Sequence, residues 1–246
     1  MKFIVNGALG RMGKQITSIL SDENCQHEIA ALVDFSSDGS NGVYKNLSDY
    51  DGDADCIIDF SHHTAINAIY EYATTKNIAC LIATTGQTED ELKTISKLST
   101  KVAVFRSANM SLGIALLAEC AKKVVSMMPD ADIEIIEKHH NQKLDAPSGT
   151  ALLLADQIKT VREDAVYQCA RSGMKKREKN EIGIHAVRIG NEVGTHEIIV
   201  STGTQTITLS HQAHTRALFA EGAIAAAAFI SDKAAGMYDM YDIIKG

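Results

Sequence analysis

A chain of 246 residues with 45% hydrophobic and 22% charged residues has the composition of a folded globular protein, long enough for one large domain or two small ones. Its formal net charge of -7 argues against general binding to nucleic acid or to an anionic membrane, while leaving room for a local cationic site. No stretch reaches the ~18 apolar residues of a spanning helix, and the opening MKFIVNGALG holds too short an apolar run for a secretory core. Five scattered cysteines (Cys25, Cys56, Cys80, Cys120, Cys169) without a C-x-x-C spacing read as reduced thiols, so a cytoplasmic protein is expected.

In chain order, FIV (3–5) reads as a strand that leads through a glycine turn into a helix carrying Met12, Ile16, Ile19 and Leu20. IAALVD (29–34), CIIDF (56–60), ACLIATT (79–85) and KVAVF (101–105) follow as strands, with helical patterns at AINAIYEYA and near 88–99. Strands that are apolar throughout and alternate with helices predict a parallel sheet covered on both faces, hence a doubly wound α/β domain. After Asn109 the pattern changes. A long helix (111–128), the strand DIEIIEKHH, a P-S-G-T turn, the helix ALLLADQI, and GIHAVRIG (183–190) lead to HEIIVS and TITLSH, joined by TGTQ. These late strands predict an α+β region with an antiparallel hairpin. The alanine-rich segment 217–230 predicts a closely packed helix that returns to the first domain.

Gly7, Gly10 and Gly13 lie between the first strand and helix, where glycines let a backbone approach a pyrophosphate at a helix start. Asp34 ends the second strand 21 residues after Gly13, the place of an acid that holds the ribose hydroxyls of NAD. Phe35, Ser36 and Ser37 supply no adjacent cation for a 2′-phosphate, although Arg11 in the turn could compensate. NADH is therefore the expected preferred cofactor, with some use of NADPH.

The stretch KHHNQKLDAPSGTALLLA (138–155) gathers His139, His140 and Lys143 before a helix start at which the Gly149 and Thr150 amides are donors. Two imidazoles, an ammonium and a helix N-terminus suit an anionic substrate that must be protonated. His139 and His140 should project to opposite sides if the strand runs through them, and no cysteine or second carboxylate stands at ligand spacing, so no metal is expected. His62 and His63 follow a strand end and read as loop or capping residues that could border the nicotinamide. His196, His211, His214 and Arg216 have no role that the sequence fixes.

Glu137 to Ala151, EKHHNQKLDAPSGTA, resembles the signature E-x-H-H-x-x-K-x-D-A-P-S-G-T-A of the 4-hydroxy-tetrahydrodipicolinate reductase (dihydrodipicolinate reductase) family. GALGRMG, DFS (59–61), ATTG (83–86), ANMSLGI (108–114) and GTHEIIV (194–200) extend the resemblance over the whole chain. It implies a Rossmann-like doubly wound domain from 1–109 and 214–246, with an inserted α+β substrate-binding and tetramerisation domain, 110–213, built on a mixed or antiparallel open sheet. The implied activity is NAD(P)H-dependent reduction of 4-hydroxy-tetrahydrodipicolinate to tetrahydrodipicolinate in the diaminopimelate route to lysine. The partners implied are a small dicarboxylate and copies of the chain in a homotetramer.

By residue-wise match, His139 would be the acid/base group and Lys143 the proton donor, and His140, Gly149 and Thr150 would hold substrate carboxylate. Gly7, Ala8, Leu9, Gly10, Arg11, Met12, Asp34, Ala83, Thr84, Thr85, Arg106, Ser107, Ala108 and Asn109 would line the cofactor. Two residues depart from the family pattern. Ala83 replaces a usual glycine, and Phe35 stands where many members carry a basic residue, which weakens NADPH binding in particular. A non-catalytic NAD sensor, or an amino-acid dehydrogenase on the same cofactor fold, would lack the H-H-x-x-K and D-A-P-S-G-T residues.

Overall fold

The apolar strands stack into a sheet. The structure, a computed structural model, describes residues 1–245. In chain order the elements are β1 (Lys2–Asn6), α1 (Arg11–Leu20), β2 (Glu28–Val33), β3 (Val43–Tyr44), β4 (Cys56–Asp59), α2 (Ile66–Lys76), β5 (Ala79–Ile82), α3 (Glu89–Ser99) and β6 (Ala103–Arg106). There follow α4 (Leu112–Met127), β7 (Asp132–His139), α5 (Gly149–Lys159), β8 (Val166–Cys169), β9 (Glu181–Arg188), β10 (Gly194–Ser201), β11 (Thr206–Ala213), α6 (Ala217–Ile230), β12 (Gly236–Tyr238) and α7 (Met240–Lys245). The chain divides into two units, Met1–Ser111 with Ala217 onward, and Leu112–Arg216.

In the first unit seven parallel strands run in the order β12-β6-β5-β4-β1-β2-β3. The order reverses between β1 and β4, so the C-terminal ends of those strands open a crevice, the usual ligand position in such sheets. Ile4, Ile57, Ile58, Leu81, Val104 and Phe105 are fully buried, as strands covered on both faces require. Each such side chain contributes about 1.5–3 kcal/mol. Helix α6 packs on β4, β5, β6 and α1 through Ala220, Ala223, Ala226 and Ala227, all without exposure. Its Gly222 is required by close approach, since a Cβ there would lie 1.8 Å from the Met110 carbonyl oxygen.

The second unit holds a mixed sheet of five strands, β11-β10-β7-β9-β8. The β10–β11 hairpin is antiparallel, as the pattern predicts, and β10 is also antiparallel to β7. Strand β9, expected beside this hairpin, instead lies across β7 and pairs with it in parallel, with β8 on its far side. Helical connections make such parallel neighbours possible, and side-chain alternation carries no information about which strand is the neighbour. Helix α4 packs on β10, β11 and α5.

The glycine turn tests this packing. A Cβ on Gly13 would stand 2.1 Å from the Gly7 carbonyl oxygen and 2.6 Å from the Ala8 Cα, both backbone. Alanine gains up to ~1 kcal/mol over glycine in a helix, but overpacking costs typically ~1–3 kcal/mol, so strain should win. Gly13→Ala is expected to lower the urea midpoint of unfolding and to weaken dinucleotide binding; an unchanged or higher midpoint would refute the close approach.

Candidate active site

In the first unit the turn after β1 is held from two sides. Gly7 adopts φ +84°, and a Cβ there would meet the Ser61 amide nitrogen at 2.7 Å. The Gly7 and Ala8 amides donate to the Val33 carbonyl at 2.8 and 3.1 Å, and the Gly10 amide to the Gly7 carbonyl at 3.1 Å. The Leu9 amide donates to Asp34 Oδ2 at 2.9 Å. Gly10 caps α1 without a side-chain bond, and no acid stands in the first turn. That leaves the Arg11 and Met12 amides as first-turn donors that suit a pyrophosphate.

Asp34 is 5% exposed and also accepts from the Ser36 amide at 3.0 Å and hydroxyl at 2.6 Å. Burial pushes its carboxyl upward, but these bonds from Ser36 and Leu9 prevail and hold it below its ordinary value. An ionised Asp34 therefore both fixes the turn and presents negative charge beside it.

A second carboxylate, which sequence reasoning did not single out, lies under the crevice. Asp59, at the end of β4, accepts from Asn6 Nδ2 (2.8 Å) and from the Ser61 hydroxyl (2.5 Å) and amide (3.2 Å). Thr84 Oγ1 stands 3.4 Å from its other oxygen, Gln87 donates to Thr84, and Arg106 donates to Gln87 at 3.3 Å. The chain thus joins the C-terminal ends of four neighbouring strands. Of the cofactor residues expected from sequence, Thr84 and Arg106 belong to this network, with Ala83 bonded to the Asp59 carbonyl. Ser107 and Asn109 bond to each other in the segment before α4.

A cavity of about 320 Å³ adjoins the turn, lined among others by Val33, Phe35, Lys45, Ser61 and His62. Pairing of Val33 with Tyr44 brings Lys45 to the same cavity as Phe35, so a cation is present that the residues next to Asp34 did not reveal. Phe35 is 75% exposed, an aromatic face open to a stacking partner. His62 bonds to Thr64, and His63 to Glu91 at 2.8 Å, so both are taken up by local structure.

In the second unit β7 ends at His139, so His140 lies just beyond the strand. Ile133, Ile135, Glu137 and His139 share its buried face, with Glu137 at 0% and His139 at 8% exposure. Glu137 receives a bidentate clamp from Arg188, Nη1 to Oε2 at 2.9 Å and Nη2 to Oε1 at 2.8 Å. The Ser148 amide adds a bond to Oε1 at 3.0 Å, and His139 Nδ1 lies 2.5 Å from Oε2. Burial raises the Glu137 carboxyl, but Arg188, His139 and Ser148 outweigh it and hold it below its ordinary value.

Lys143 pairs with Asp145 at 2.8 Å, and Lys143 chiefly holds that carboxyl low, with the Gly149 amide contributing. The Gly149 amide, one of the donors expected at this helix start, lies close enough to Asp145 to help hold its carboxyl low. The Ser148 hydroxyl caps α5 through the Ala151 amide at 3.2 Å, and the space above Gly149 is open. His196 stands edge-on to His139, ring centroids 5.2 Å apart. Burial first, and then the charge of His139, push His196 down to about 4, so it is neutral at physiological pH. His211, paired with His196 on the neighbouring strand β11, is also lowered by burial. The structure thus gathers His139, His140, Lys143 and Gly149 around one strand end, and adds Glu137, Arg188 and His196.

The family model described as dihydrodipicolinate reductase, N-terminus, matches residues 1–110, and that described as dihydrodipicolinate reductase, C-terminus, matches 113–244. The chain belongs to the dihydrodipicolinate reductase family. It is 42% identical over 247 residues to the 4-hydroxy-tetrahydrodipicolinate reductase of Clostridium novyi, covering 99% of this chain and 98% of that one. The 4-hydroxy-tetrahydrodipicolinate reductase of Caldanaerobacter subterraneus is 44% identical over 250 residues, covering 100% and 98%. Among solved structures, the dipicolinate-bound dihydrodipicolinate reductase of a Paenisporosarcina species superposes with TM-score 0.79 at 23% identity, covering 97% of each chain, a likeness of fold. Family membership makes this chain an oxidoreductase with a nucleotide-binding N-terminal part. No helix is long and apolar enough to cross a membrane among the described residues.

Burial gives Asp59 a measurable signature. It is raised from 3.8 to about 6, so the folded protein keeps a proton that the unfolded chain has lost. Stability from this group is then greatest at low pH and falls as pH rises toward 6 and a little beyond, a loss of about 1 kcal/mol between pH 5 and 8. In urea titrations at those two pH values, Asp59→Asn, which can keep the bonds from Asn6 and Ser61, should lose about that much less stability than wild type. An identical pH slope in both proteins would show that Asp59 titrates normally.

Proposed function

We propose that this chain reduces 4-hydroxy-tetrahydrodipicolinate to tetrahydrodipicolinate with NADH or NADPH, in the diaminopimelate route of lysine biosynthesis. The observation that carries this reading is the convergence of His139, Lys143 and the start of α5 at one strand end, with His139 bonded to a buried carboxylate. Relatives above 40% identity over their whole length bear that enzyme's name. The reaction loses water from the hydroxylated ring, adds a hydride at C4, and places a proton on the neighbouring carbon. A bound reduced nicotinamide supplies the hydride.

The residues of the chain supply the rest. Lys143 attracts the substrate carboxylates, stabilises charge developing on the ring and gives the proton; His139 acts as the acid/base group. His140, Gly149 and Thr150 hold carboxylate at the N-terminus of α5. Asp145 pairs with Lys143 at 2.8 Å, so a substrate carboxylate competes with that side chain for the ammonium. The turn Gly7, Ala8, Leu9, Gly10, Arg11 and Met12 takes the pyrophosphate, Asp34 the ribose, and Ala83 to Thr85 with Arg106 to Asn109 the remainder of the dinucleotide. Segments 1–109 and 214–246 serve as the dinucleotide-binding domain and 110–213 as the substrate-binding and tetramerisation domain. β11, an outer strand with half-buried Ile207 and Leu209, offers an open edge to a second copy, in keeping with a homotetramer. Five free cysteines accord with a cytoplasmic enzyme.

Loss of NADH absorbance on adding freshly prepared substrate tests the activity. His139→Ala and Lys143→Ala should each lower kcat by about 10²–10⁴-fold and leave the Kd for NADH nearly unchanged. Near-wild-type turnover in both variants would remove these roles. For the cofactor, the ionised Asp34 opposes a 2′-phosphate, while Arg11 and Lys45 supply cations that tolerate one. Steady-state kinetics should therefore give a higher kcat/KM for NADH than for NADPH; a tenfold advantage for NADPH would overturn this reading of Asp34.

A further inference from the structure

A histidine that exchanges protons has two nitrogens, and the hydrogen bond made by one decides which form the other takes. At His139 the surroundings treat the two differently. Nδ1 lies 2.5 Å from Glu137 Oε2, in a carboxylate that already accepts from Arg188 twice and from the Ser148 amide. An ionised carboxylate only accepts, so Nδ1 must carry the hydrogen between them. On the opposite edge of the ring stands Gly194. A Cβ on that residue would lie 3.0 Å from His139 Nε2 and 3.4 Å from Cδ2, so any other side chain would crowd Nε2. His196, edge-on to the same ring, has its own Nε2 3.4 Å from the Ser148 hydroxyl. Arg188 also donates to the Asp145 carbonyl at 2.6 Å, tying the carboxylate to the loop that carries Lys143.

We propose that Glu137 is the positioning residue of this site: held by Arg188, it keeps the His139 proton on Nδ1, while Gly194 leaves Nε2 clear as the one nitrogen that exchanges a proton with substrate. The proposal rests on the reading of His139 as the acid/base group. In the loss of water, Nε2 of the neutral ring takes a proton from the carbon beside the hydroxyl, and the resulting imidazolium hands it to the leaving hydroxide, so the ring returns to the Nδ1–H form. Lys143 gives the separate proton that follows hydride addition. The Glu137 carboxylate stabilises the charged ring and stays ionised throughout. Arg188 in turn balances the charge of Glu137 inside the sheet face.

Nitrogen-15 NMR of histidine-labelled full-length protein, with His139 assigned by its loss in His139→Ala, reads the tautomer directly. In the neutral ring Nδ1 should show the protonated, pyrrole-type shift and Nε2 the bare, pyridine-type shift. A predominant Nε2–H form, or an even mixture, in wild type overturns the proposal without reference to activity. Glu137→Gln should move the ring toward a mixed population and lower kcat about 10–10²-fold, with KM for substrate changed far less. Unchanged shifts and unchanged kcat in that variant would also overturn it. If Glu137→Gln does not fold, Gly194→Ala decides alongside the wild-type spectrum, since it leaves the Glu137 bonds in place. It should retain the Nδ1–H signature yet lose kcat, and full activity in it would refute the claim that Nε2 needs open space. Full turnover in His139→Ala, with the wild-type tautomer as stated, would instead bring down the acid/base reading of His139, and with it the proton exchange at Nε2, while leaving the hold of Glu137 on Nδ1 in place.

Discussion

A carboxylate with no exposure to water is the constraint on which the second unit turns. Glu137 sits at the end of an apolar strand face, where an isolated charge would cost several kcal/mol, and survives there because four donors converge on it. Those donors come from β7 itself, from β9 and from the first residues before α5, so satisfying one charge fixes three segments relative to each other. Removing any donor would leave a buried acceptor short of a partner, which is why such a network is rigid. The His139 imidazole is oriented by its attachment to this carboxylate, because the groups that hold it cannot relax toward solvent.

The first unit uses carboxylates in a different way. Asp34 is held low and Asp59 is pushed up, although both lie at strand ends in the same crevice. The difference is desolvation. Asp59 lies beneath the crevice between β1 and β5, and its hydrogen bonds do not make up for lost water. Asp34 lies at the rim, where bonds from Ser36 and Leu9 prevail. Asp34 is thus ionised over a wider range of pH than Asp59.

Much of this was legible in the sequence. The strands of the first sheet are apolar end to end, and their alternation with helices leaves few topologies. The short strands β3 and β12 escaped notice because two or three residues carry no periodicity, and β8 because VYQC is half-exposed. Lys45 escaped for the same reason: only the pairing of β2 with β3 brings it to the cavity beside Phe35. The role of Glu137 had a signal that could have been read. In DIEIIEKHH it falls in register with Ile133 and Ile135, and an acid on a buried face needs partners. What the pattern could not say was that Arg188, on a strand joined through β7, would be that partner.

The chain enters the first unit twice, and α6, which lies on β4, β5 and β6, comes from its far end. On the ribosome six of the seven strands of the first sheet therefore emerge long before the helix that shields one face. At a synthesis rate of about 5–20 residues per second, that face waits roughly 6–25 s for its cover. The isoleucines and phenylalanines of the sheet stay open to chaperones for that interval, and the whole intervening unit has time to fold before its host is closed.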